Sequence, residues 1–89
     1  MSRLEEKLIE LGYISNEWLN WSFTNVAYTK KYRMHNIVIY VNKETITIKC
    51  HRIIPIAFYN EQQDINDLQQ AYNQLQKDLE VLKEYEENN

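Results

Sequence analysis

The chain has 89 residues and few of those that build reactive or stapled sites: one glycine, one proline, one cysteine and two histidines. A lone cysteine, Cys50, closes no internal disulfide, so a reducing compartment is the expectation. With Gly12 the sole glycine, the sequence holds no phosphate-cradling loop, dinucleotide fingerprint or nucleophile elbow. His35 and His51 alone fall short of the closely spaced ligand set that zinc requires, so neither a metal nor a cofactor is expected. Cys50 and His51 are adjacent, but strand neighbours point to opposite faces, which prevents a thiolate–imidazole pair. No apolar run approaches the ~18 residues of a membrane span. Met1-Ser2-Arg3-Leu4-Glu5-Glu6 puts carboxylates where a signal peptide needs an apolar core, so a cytoplasmic, non-enzymatic protein is expected.

What is present is ordinary globular material. Hydrophobic residues make up 44% and charged residues 26%, a balance that supports one folded domain over residues 1–89. Residues read by A/T-rich codons (Phe, Tyr, Met, Ile, Asn, Lys) far outnumber those read by G/C-rich codons, as in low-GC bacteria and their phages. Trp18, Trp21, Phe23, Phe58 and seven tyrosines supply the large side chains that a small core needs.

Periodicity orders the elements. Ser2–Leu11 reads as a short helix: Ser2 and Glu5 fit a capping box, Leu4, Leu8 and Leu11 share a face, and Gly12 suits a left-handed stop. Alternation predicts strands over Asn20–Tyr28, Asn36–Val41 and Thr45–Ile54, with Thr29–Arg33 as a hairpin loop and Pro55 ending the last strand before an irregular extension over Ile56–Phe58. Ile37, Ile39, Ile46, Ile48 and Cys50 are expected on one face. Val26, Tyr28, Val38, Tyr40, Thr47 and Lys49 are expected on the other, under the first helix or open to a partner. From Glu61 to Glu86 the period becomes 3.5: Ile65, Leu68, Tyr72, Leu75, Leu79 and Leu82 form a heptad seam, with Asn60 or Asp64 as N-cap. The expected fold is α+β: a short N-terminal helix, a three-stranded antiparallel meander and a long C-terminal helix packed on the sheet.

Charge is segregated. Asn20–Pro55 holds six cations and one carboxylate, whereas Ile56–Asn89 holds eight carboxylates and two lysines. Two candidate surfaces follow. Glu61, Asp64, Asp67, Asp78, Glu80 and Glu84 make an acidic helix able to meet a basic groove on a protein. Lys30, Lys31, Tyr32 and Arg33, joined by Lys49 and Arg52, interleave cations with an aromatic ring as nucleic-acid binders do. Internal complementarity between the two sets is the bland alternative. The seam could also join two copies into a homodimer, with Asp78 and Lys83 at flanking positions.

The helix–three strands–helix order resembles that of double-stranded-RNA-binding domains. That family carries a lysine cluster at the start of its second helix, where this chain has Asn60-Glu61-Gln62-Gln63-Asp64, so its function is not carried over. Ile54-Pro55-Ile56-Ala57-Phe58 leading into Asp64-Ile65-Asn66-Asp67-Leu68 resembles the strand-to-helix ending of small prophage-encoded proteins of low-GC Gram-positive bacteria. That resemblance implies an accessory protein acting on host machinery or host defence. The expected function is a protein-binding module that modulates or inhibits a host protein through its acidic helix and aromatic surface. A small DNA- or RNA-binding protein using the basic hairpin is the alternative.

Overall fold

A computed structural model describes residues 2–56 and 61–87, with side chains in the last helix from Ile65 onward. Helix α1 spans Arg3–Glu10. The Ser2 hydroxyl accepts from the Glu5 backbone N–H at 3.1 Å and donates to the Glu5 carboxylate at 3.2 Å, as a capping box requires. The helix ends in a Schellman arrangement: the Gly12 N–H donates to Ile9 and the Tyr13 N–H reaches back to Leu8. Gly12 stands at φ +101°, and a Cβ there would lie 3.3 Å from the Lys30 side chain. Gly12→Ala is therefore expected to destabilise the protein by about 1–3 kcal/mol, read as a lower urea midpoint.

A four-stranded antiparallel sheet follows in the order β1-β2-β3-β4. The strands are β1 Ile14–Ser15, β2 Asn25–Tyr32, β3 His35–Asn42 and β4 Thr47–Pro55. A 3₁₀ turn, Glu17–Leu19, lies between β1 and β2. The extra strand β1 was not foreseen, because two residues carry no alternation to read. The second strand also begins later and runs further than the alternation suggested. Thr29–Tyr32 is paired strand rather than loop, up to Tyr32 opposite His35. The reversal is confined to Arg33–Met34, with Arg33 at φ 55°, the sign that matches the twist of the flanking strands.

Two corrections to facing follow from the register. Val26 and Tyr28 pair with Val41 and Ile39, so they lie on the helix-covered face rather than opposite it. In β4 the pairing skips a residue: Tyr40 faces Cys50 but Val41 faces Ile48. Lys49 is the extra residue of a bulge, which turns Cys50 to the opposite face from Ile48. Cys50 accordingly packs with Ala27, Val38 and Tyr40.

Both helices cover one face. Leu4 and Leu8 of α1 join Tyr13, Val26, Tyr28, Ile37, Ile39, Val41, Leu75 and Leu82 in a single core, so α1 does not cover the other face. Arg3 and Lys7 lie over the ring of Tyr85, at 5.4 and 5.6 Å from its centroid. Helix α2, Glu61–Lys83, packs by its second half: Leu75 and Leu82 are buried and Leu79 is half-buried. The first half departs from the heptad seam. Ile65, Leu68 and Tyr72 are 61%, 44% and 48% exposed, while Asp67, Ala71 and Asp78 turn inward. Asp67 makes a polar contact to Arg33 in the β2–β3 turn, and Asp78 to Tyr13 and Lys30, so the buried stripe includes both carboxylates and departs from the leucine rhythm. Beyond α2, the Glu86 carboxylate accepts from the Ile48 N–H at 2.9 Å and the Glu87 N–H donates to the Ile46 carbonyl. Ala57, Phe58 and Asn60, one of the two N-cap candidates, lie outside the described residues.

Candidate partner-binding surfaces

The structure spends part of each candidate charge set on the other. Asp78 is 3% exposed and accepts from the Tyr13 hydroxyl at 2.7 Å, from Gln74 at 3.1 Å and from the Lys30 ammonium. Lys30 also donates to the Leu11 carbonyl and sits over the Tyr13 ring. Asp67 is 8% exposed and pairs with Arg33 at 3.6 Å. The expectation that these two carboxylates face outward is therefore corrected: an aspartate this deep needs a partner, and the β2–β3 hairpin supplies a cation to each, Lys30 from β2 and Arg33 from the turn. Of the remaining residues in those sets, Glu80, Glu84, Lys31, Lys49 and Arg52 are exposed and Tyr32 is half-buried against the core. The side chains of Glu61 and Asp64 lie outside the described ones.

Two buried tyrosines connect the helices to the sheet. Burial, and then the hydrogen bond to Asp78, push the Tyr13 hydroxyl well above its ordinary value near 10. Tyr28 rises through burial and its bond to Glu5, made at 2.7 Å. The same bond holds the Glu5 carboxyl below its ordinary range. A raised tyrosine contributes stability that is complete below the unfolded value and declines as pH rises towards the folded one. Unfolding free energy should thus fall above pH 10, by up to about 1.4 kcal/mol per pH unit for each tyrosine. Absorbance at 295 nm should show two phenols titrating only with unfolding, and Tyr13→Phe or Tyr28→Phe should remove one from that arm. Glu5 acts in the opposite window: its contribution is present above about pH 4.5 and lost on acidification.

The face away from the helices carries a second, smaller cluster of Ala27, Val38 and Tyr40 with Leu19, Cys50 and Ile54. Trp21 stacks on Tyr40 at 5.4 Å, and the Arg52 guanidinium lies 5.7 Å from the same ring. Beside this cluster the 3₁₀ turn presents Trp18 and the segment joining it to β2 presents Phe23, at 96% and 101% exposure. Glu17, Asn20, Trp21, Phe23, Val26 and Lys43 line an open depression of about 620 Å³ there. Alternation named Trp21 and Phe23 as strand residues with a common face. Their exposure follows from β2 starting only at Asn25, which leaves Trp21 in irregular chain and Phe23 in a bend.

A second groove, of about 580 Å³, runs between β4 and the first half of α2. His51 and Ile53 form one wall and Ile65, Leu68 and Tyr72 the other. His51 points into it because the bulge at Lys49 resets the phase of β4, placing His51 opposite Ile39 and Ile53 opposite Ile37 on the helix side. The sequence named all three α2 residues, but nothing in their spacing distinguishes a helix lying on a sheet from one overhanging its edge.

Among the described residues no group of three or more His, Cys, Asp or Glu is arranged to hold a metal ion. No described helix is long and apolar enough to cross a membrane. Cys50 and His51 lie on opposite faces, across from Tyr40 and Ile39. No protein-family model, curated protein or solved structure matches the chain.

Proposed function

We propose that the chain is a non-enzymatic protein-binding module. The carrying observation is the pair Trp18 and Phe23, both essentially fully exposed next to Trp21. Large aromatic side chains left in water are costly to solvation and are the residue types that dominate protein interfaces. The excess of residue types read by A/T-rich codons and the strand-to-helix ending support a phage or mobile-element origin, and with it a bacterial host protein as the partner to be modulated. Exposed Glu80 and Glu84 add acidic character on α2. Affinity capture from a low-GC Gram-positive lysate tests the reading. Wild-type protein should retain a stoichiometric protein, and Trp18→Ser with Phe23→Ser should weaken retention by more than about thirtyfold. Capture of no stoichiometric protein would count heavily against it.

One observation favours a second reading. Lys31 and Arg52 share the uncovered face with Tyr40 and Trp21, a surface of cations beside aromatic rings. Such a surface suits single-stranded nucleic acid. Binding would then fall steeply with salt, and Lys31→Glu with Arg52→Glu would weaken it across all sequences. No mobility shift at low salt would eliminate this reading.

A further inference from the structure

We infer that β4 takes a fifth strand from a partner: an extended segment in which apolar side chains alternate with carboxylates. This rests on the protein-binding reading and names a site and a partner chemistry for it.

β4 is an outer strand, and no described strand pairs with its free side. Edge strands are open templates for pairing, and proteins blunt them with bulges, charges and proline. Here the blunting is confined to the ends. The bulge at Lys49 and the Glu86 carboxylate on the Ile48 N–H guard one end, and Pro55 closes the other. Between them no described strand pairs with the outer side of Cys50–Ile54, a window of roughly 17 Å at ~3.4 Å per residue.

The helix overhangs this window. Ile65, Leu68 and Tyr72 are left exposed beside β4, and together with His51 and Ile53 they wall the groove. A strand added ~4.8 Å outside β4 would run under those side chains. Its residues beside His51 and Ile53 would point into the groove, which therefore selects apolar groups.

Charge identifies the alternate residues. Thr47–Pro55 contains Lys49, His51 and Arg52 and no carboxylate. Arg52 borders the groove, but its guanidinium is turned to the other face, across from Val38 and beside the Tyr40 ring. An added strand's outward residues would meet that guanidinium, and carboxylates complement it. A second copy of β4 would instead set Lys49 and Arg52 against their like. The chain's own tail already shows the preferred chemistry, since Glu86 is the group that accepts from the edge N–H of Ile48.

The probe is a fluorescein-labelled, end-blocked heptapeptide of alternating glutamate and isoleucine, compared with its lysine–isoleucine counterpart. The acidic peptide should bind saturably and at least about tenfold more tightly. It should slow amide hydrogen exchange within Cys50–Ile54. Arg52→Glu should shift the preference towards the lysine peptide by about fivefold. Leu68→Asp, at a position already 44% exposed, should weaken binding more than about tenfold while leaving the circular dichroism intact and the protein folded, with only a small fall in urea midpoint. Three results would each overturn the inference: no saturable binding up to millimolar peptide, protection appearing at Trp18–Phe23 instead, or a solution dimer that Leu68→Asp dissociates. If a captured protein is lost with Trp18→Ser and Phe23→Ser but not displaced by the acidic peptide, the binding-module reading stands and the edge site falls.

Discussion

Asp78→Ala should cost about 3–5 kcal/mol, a large share of the stability of a domain this size. The substitution removes the acceptor shared by the Tyr13 hydroxyl, the Lys30 ammonium and Gln74. It leaves a phenol and a cation in a site where water does not replace the lost partner, since Tyr13 is fully buried and the Lys30 side chain is 16% exposed. Most of the loss is therefore the desolvation of stranded groups, not the strength of the ion pair. That distinction is measurable. The triple replacement Tyr13→Phe, Lys30→Met and Asp78→Leu deletes every member of the network and should recover most of the stability lost by Asp78→Ala alone. Urea unfolding of the two variants beside wild type decides the point. A triple variant no more stable than the single one would mean that the network contributes net stability of its own.

Leu82→Ala and Leu68→Ala should differ sharply, although both occupy the same repeating seam in the sequence. Leu82 is wholly buried where α2 meets α1, among Leu4, Leu8 and the core strands. Truncating it leaves a cavity and should cost about 2–5 kcal/mol. Leu68 is 44% exposed on the groove wall, and its truncation should cost about 1 kcal/mol or less. Thermal or urea denaturation of the two single variants tests the placement of α2 directly. Equal losses would mean that both halves of the helix lie on the sheet.

The contrast marks how far the sequence could be read. Strong local signals survived: the Ser2 cap, the Gly12 stop, the Ile37–Ile39–Val41 strand and the long C-terminal helix. Each depends on interactions within a few residues or on unbroken periodicity. What was not legible depended on partners distant in the chain. Lys30 and Lys31 look like loop cations until β3 pairs alongside them. Asp78 looks solvated until Tyr13, 65 residues away, is brought to it. Cys50 changed faces because one unpaired residue, Lys49, shifted the phase of its strand, and alternation counted forward from Ile46 carries no record of such an insertion. The candidate surfaces suffered most, because the charge pattern names which residues carry charge but not which of them neutralise one another. Trp18 looks like core material until the 3₁₀ turn at Glu17–Leu19, which alternation does not signal, holds it outward.

The clasp between the first and last helices has a consequence for degradation. Leu4 and Leu8 are covered by the segment that holds Leu82, and Tyr85 lies under the Arg3 and Lys7 side chains. Neither end of the described chain can peel away without baring the apolar face of the other, so fraying at one terminus is opposed by both. Endopeptidase cleavage inside either helix should then follow the rate of whole-domain opening rather than local breathing.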